Sequence, residues 1–162
     1  MKVKINIIFS KNKKIGSKII SSCTKFLVTD ITNTPSHVAL LLKDRWIYES
    51  TMETGVRVIK YIDWLNINEE VFKSKEIEGF DYNNIKPKIN KLKESKYDYL
   101  GVIYYSLCVL MKLIFKKPIP KLNRWQSNNK YFCCELIGEV TNEDFQMKCP
   151  VEIMNLIIEN KL

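Results

Sequence analysis

Two strand-like runs separated by a short turn constrain this chain more than any other feature. His37-Val-Ala-Leu-Leu-Leu42 and Trp46-Ile-Tyr-Glu-Ser50 flank Lys43-Asp44-Arg45 and read as a β-hairpin. Side chains alternate between faces along a strand, so His37, Ala39 and Leu41 share one face, and Ile47 and Glu49 share a face of the next strand. Loop parity then decides whether the chain's single histidine meets a carboxylate. With an odd loop, such as 42–44, residue 41 pairs with 45, 39 with 47 and 37 with 49, which sets His37 beside Glu49; an even loop puts them on opposite faces.

The remaining elements follow from periodicity. Val3 to Phe9 alternates like a strand, and Ser10 to Gly16 reads as a loop. Ile19, Ile20, Cys23 and Leu27 have helical spacing from Ser17 onward, ending before Thr32-Asn-Thr-Pro35. Val56 to Tyr61 reads as a third strand and Val71 to Ile77 as a fourth. Asn84 to Lys93 reads as a helix with Pro87 in its first turn, where a missing N–H costs nothing. Tyr99 to Phe115 is the most apolar stretch; it carries Lys112 and falls about a turn short of the roughly 20 residues a membrane span needs, so it reads as a buried core helix. Lys116 to Lys130 reads as a loop. At 162 residues and 46% hydrophobic, the chain is sized for one α+β domain over 1–162, a small antiparallel sheet of about four to five strands packed against helices.

The five cysteines form an odd set without CxxC spacing, which points to neither a disulfide framework nor a zinc cluster, and no cofactor is implied. The N-terminus alternates charged and apolar residues and lacks the continuous apolar core of a secretory signal, so a reduced, cytoplasmic setting is expected. A net charge of +8 favours anionic partners, a membrane surface among them. No recognition-helix or aromatic-platform motif points to nucleic acid.

Tyr131-Phe-Cys-Cys-Glu-Leu-Ile-Gly138 carries the chemistry. Cys133, Leu136, Ile137 and Val140 fall at i, i+3, i+4 and i+7, an apolar stripe that must pack on the sheet and that aims Cys133 at the strand bearing His37. Cys134 lies about 100° around the helix and points less directly. A first-turn thiol also feels the positive end of the helix dipole, which lowers its pKa. An imidazole that takes the thiol proton and returns it, oriented by a carboxylate, completes a nucleophilic triad. The plainer alternative makes His37 a satisfied core residue and both cysteines small core side chains.

Phe132-Cys-Cys-Glu-Leu136 late in the chain, with Ser36-His-Val-Ala-Leu40 and Trp46-Ile-Tyr-Glu-Ser50 far upstream, resembles the permuted papain-like amidases of the NlpC-like superfamily. YiiX-type proteins and lecithin:retinol acyltransferase belong to that branch, in which the histidine strand precedes the cysteine helix. Tyr97-Asp-Tyr-Leu-Gly101 is similar to the aspartate-containing element before a helix in these proteins, so the match spans roughly residues 16–140. The resemblance implies a circularly permuted papain-like (NlpC-like) fold with Cys133 as nucleophile, His37 as base and Glu49 as the orienting residue. The motif usually carries serine where this chain has Cys134.

Two functions are therefore expected to compete. One is a cysteine-dependent hydrolase or acyltransferase acting through a thioacyl intermediate on the amide or ester bond of a small molecule, a peptide, a cell-wall fragment or a lipid-derived amide. The other is a non-catalytic module that docks on membrane or anionic polymer through its basic surface.

Overall fold

The computed structural model describes residues 5–12, 34–77 and 82–159; Val3 and the predicted helix from Ser17 lie outside the described residues. The described chain is α+β. Strands β1 (Ile5–Lys11), β2 (His37–Leu42), β3 (Trp46–Thr51), β4 (Gly55–Lys60) and β5 (Glu69–Lys73) form one antiparallel sheet in the order β4-β3-β2-β1-β5. Among the described residues five helices accompany it: α1 (Tyr61–Leu65), α2 (Tyr82–Leu92), α3 (Tyr99–Phe115), α4 (Cys133–Thr141) and α5 (Pro150–Ile158).

Both faces of the sheet's centre are covered, which is why β1 and β2 are near-continuous apolar runs rather than alternating ones. On one face Val38, Leu40 and Tyr48 join the main core, where α4 lies across β2 and β3 with Leu136, Ile137 and Val140 fully buried. Each such aliphatic side chain contributes about 1.5–3 kcal/mol on burial. On the other face Ile8, Ala39, Leu41 and Ile47 pack around Trp64 of α1.

The hairpin loop is odd, spanning 43–45 instead of 42–44, so each residue's cross-strand partner lies two residues further along than the example pairing. Leu40 pairs with Tyr48, Leu41 with Ile47 and Leu42 with Trp46; the same alignment carried one residue on sets Ala39 across from Glu49 and makes His37 its diagonal neighbour. Left-handed φ values at Lys43 (55°) and Asp44 (52°) close the turn. At Gly55, φ is 67° and a Cβ would lie 2.3 Å from the Ser95 carbonyl oxygen, so glycine is required where β4 begins.

Several elements depart from their expected bounds. β1 runs on through Lys11, because Ser10 pairs with His37 and Lys11 with Glu69. Tyr61 opens α1 instead of ending β4. β5 ends at Lys73, yet the chain keeps following β1 through Ser74 N–H to the Ile7 carbonyl and Ile77 N–H to the Ile5 carbonyl. Pro87 sits beyond the first turn of α2, and the helix is held there by Ile85, Ile89 and Leu92 at i, i+4 and i+7 in the core.

The largest correction concerns α3, which is not a buried core helix. Only Gly101, Tyr105 and Val109 on its inner side are buried, while Ile103, Leu107, Leu110 and Ile114 stay exposed. The helix is apolar all round, and among the described residues no second layer covers its outer face. None of the described helices is long and apolar enough to cross a membrane.

Candidate active site

Glu49 anchors the site from a fully buried position, 1% exposed, on β3. Its carboxylate accepts from four donors. One oxygen takes Arg57 Nε at 2.8 Å and Nη2 at 2.6 Å; the other takes His37 Nε2 at 2.7 Å and Trp64 Nε1 at 2.9 Å. Arg57 is the direct cross-strand partner of Glu49 on β4. Burial alone would raise the Glu49 pKa, but the hydrogen bonds and charges of His37 and Arg57 reverse this and hold it at about 2. An ionised carboxylate only accepts, so His37 Nε2 must carry a proton and Nδ1 is left for another partner.

That partner is the thiol of Cys133. His37 opens β2, and from the strand's end its ring is hydrogen-bonded to Glu49 and lies close enough to the Cys133 sulfur for each to shift the other's pKa. Burial pulls the imidazole pKa down, while hydrogen bonds to Cys133 and Glu49 and their charges lift it to about 10. Cys133 is pushed well below the usual thiol range: first by its hydrogen bond from Cys134, against burial, then by the hydrogen bond and charge of His37 and by the Val38 N–H. The two sulfurs are 4.0 Å apart. Cys134 is driven well upward by burial and by the neighbouring Cys133 sulfur, so it keeps its proton and donates it to Cys133. Each group thus favours the charged form of the other, imidazolium beside thiolate.

The helix terminus is built to support this. Phe132 is the extended N-cap of α4, and Glu135 accepts its N–H at 3.2 Å and the Asn123 amide at 3.1 Å. Burial raises the Glu135 pKa to about 8 against those two hydrogen bonds, which limits negative charge beside the sulfur. A narrow, apolar slot reaches Cys133 and Cys134 between Val102 and Ser106 of α3 and Cys149 and Pro150 at the start of α5. Cys133 is only 2% exposed, while the His37 side chain is 13% exposed. A larger polar cleft of about 440 Å³ lies on the far side of α4, lined by Gln126, Glu139 and Asn142, and includes neither Cys133 nor His37. Among the described residues no three or more His, Cys, Asp and Glu side chains are grouped to hold a metal ion.

His37, Glu49 and Cys133 are thus brought together. Arg57 and Trp64 were not singled out by sequence. Arg57 had a signal, since its strand parity matches that of Glu49; Trp64 had none, because it arrives on a five-residue helix packed on the face of the sheet away from α4.

The pH dependence of stability follows from these shifts. Glu49, held at about 2, contributes stability complete above its ordinary 4.5 and lost as pH falls toward 2. Taken singly, His37 contributes stability complete below 6.5 and lost as pH rises through about 10. Cys133 acts in the opposite sense, complete above 9.0 and lost as pH falls. Between 6.5 and 9.0 these two cancel, because imidazolium plus thiolate holds the same single proton as imidazole plus thiol. Glu135, raised to about 8, keeps a proton that the unfolded carboxyl gives up near 4.5, so urea midpoints should fall as pH rises from 6.5 through about 8, fall again above 9, and fall on the acid side below 4.5. Glu49→Gln should flatten the decline below pH 4.5; an unchanged acid limb would contradict the assignment.

No family model matches the chain. A protein of Plasmodium falciparum (isolate 3D7) named as a candidate E3 ubiquitin-protein ligase is 25% identical over 159 residues, which is 91% of this chain and 1% of that protein. The chain thus spans about a hundredth of that relative's length.

Proposed function

We propose that this protein is a cysteine-dependent hydrolase or acyltransferase acting on an amide or ester carbonyl, with Cys133 as nucleophile, His37 as acid and base, and Glu49 as the residue that positions His37. One observation carries the reading: the chain's only imidazole is held between a buried, fully hydrogen-bonded carboxylate and a helix-opening cysteine whose pKa is lowered. The order of elements, histidine strand before cysteine helix around an antiparallel sheet, also supports a circularly permuted papain-like arrangement. Cys134 then supplies a donor thiol where relatives of that type usually carry serine.

The reaction balances with these groups alone. The Cys133 thiolate attacks the carbonyl carbon and forms an S–C bond. His37 Nδ1 gives its proton to the departing nitrogen or oxygen as the C–N or C–O bond breaks, leaving a thioacyl group on Cys133. Neutral His37 next takes a proton from water, an amine or an alcohol, whose oxygen or nitrogen attacks the thioester. The C–S bond breaks, the acid or the new acyl product leaves, and the thiolate–imidazolium pair is restored.

The test is to incubate the protein with acyl electrophiles of graded size and with a panel of peptide and lipid amides and esters. Intact and peptide mass spectrometry should find one acyl group, on Cys133. Acylation spread evenly over Cys108, Cys133, Cys134 and Cys149, or no adduct at all, would refute the reading.

A further inference from the structure

We propose that the outer face of α3, together with the loop that follows it, is a docking surface for an anionic lipid bilayer. Leu100, Ile103, Leu107, Leu110, Ile114 and Phe115 form an exposed apolar stripe on the side of α3 opposite its buried residues Gly101, Tyr105 and Val109. Ile114 and Phe115 are each 60% exposed, where isolated surface leucines and isoleucines would be scattered singly. The loop extends the same surface: Trp125 is 46% exposed and packs on Tyr104 of α3 at 5.3 Å between ring centroids.

Charge selects the occupant. From Tyr99 to Asn129 the chain carries Lys112, Lys116, Lys117, Lys121 and Arg124 and no aspartate or glutamate at all. All five of these cations are exposed. A second copy of the chain would bring two cationic rims together, which like-charge repulsion opposes. An anionic bilayer takes the apolar face into its acyl boundary and the cations among its headgroups, with Trp125 at the level aromatic rings prefer. At 17 residues, α3 reaches about 25 Å, and its inner side is already packed on the protein, so it lies in the membrane plane rather than across it. Val102 and Ser106 of the same helix border the slot over Cys133, which puts the nucleophile beside the docked face.

The experiment is cosedimentation of the full chain with vesicles of phosphatidylcholine alone and of phosphatidylcholine with 30% (about one third) phosphatidylglycerol. Binding to the anionic vesicles, weakened by added salt, is expected. The double variant Leu107→Glu, Ile114→Glu should bind at least about tenfold more weakly. The triple variant Lys116→Gln, Lys117→Gln, Lys121→Gln should lose about 100-fold at low salt. All five positions are exposed, and circular dichroism checks that both variants fold. Wild-type protein left in the supernatant, or either variant binding like wild type, would overturn the proposal. So would a concentration-dependent dimer that the double variant splits, seen with no vesicle binding. Cys133→Ala should bind vesicles like wild type, so this result and the catalytic one stand or fall separately.

Discussion

Cys133→Ala is expected to lower turnover of an amide or ester substrate by at least ~10³-fold and to abolish the covalent adduct with a thiol-directed electrophile. The change removes one buried sulfur, and circular dichroism separates loss of chemistry from loss of fold. The neighbouring cysteine provides the control. Cys134→Ala should still be labelled at Cys133 but more slowly below neutral pH, because the leading cause of the lowered Cys133 pKa, the hydrogen bond from Cys134, is gone. Cys134→Ser should restore much of the rate, since a hydroxyl also donates. Equal labelling of Cys133→Ala and the parent would reassign the nucleophile to Cys134.

The same two positions show how far sequence reasoning reaches. Periodicity aimed Cys133 inward because a stripe with Leu136, Ile137 and Val140 has only one place to go, and those residues do pack on the sheet. It did not say how two adjacent, buried thiols would divide the proton. That depends on the His37 imidazole reaching one sulfur and not the other, a matter of a few ångströms at the sheet's end.

Parity carried the same kind of information and had the same limit. A separation of twelve residues across an odd loop puts His37 and Glu49 on one face whatever the exact register, and the two-residue difference in pairing only turned direct neighbours into diagonal ones. Local pattern does not show which layers stack on a sheet. Trp64 therefore could not be foreseen beneath Glu49, nor α5 in the core, and the outer face of α3 could not be told from a buried one. Its residues are apolar in either case; what differs is whether another element lies over them.

Glu49→Gln should reduce kcat/KM by about 10³ to 10⁴-fold while leaving the side chain's size unchanged. Gln offers one acceptor and one donor end to a site lined by four donors. Its oxygen is best used by Arg57, which donates twice to a single oxygen. The amide nitrogen then faces His37 and Trp64. To accept from it, His37 Nε2 must give up its proton, which moves the hydrogen to Nδ1 and leaves nothing to take the proton from Cys133. Loss of the carboxylate charge also lowers the imidazolium pKa from about 10, so the alkaline limb of the rate profile should move to lower pH. Because His37 is the chain's only histidine, one pair of ring resonances reports its titration by NMR without assignment. Trp64→Phe separates orientation from charge: it removes one donor to Glu49 but keeps the charge, and should leave the His37 titration nearly where it was. An imidazole in Glu49→Gln that titrates like the parent's, with an unchanged rate, would mean that the carboxylate holds the sheet together and has no part in setting the proton on His37.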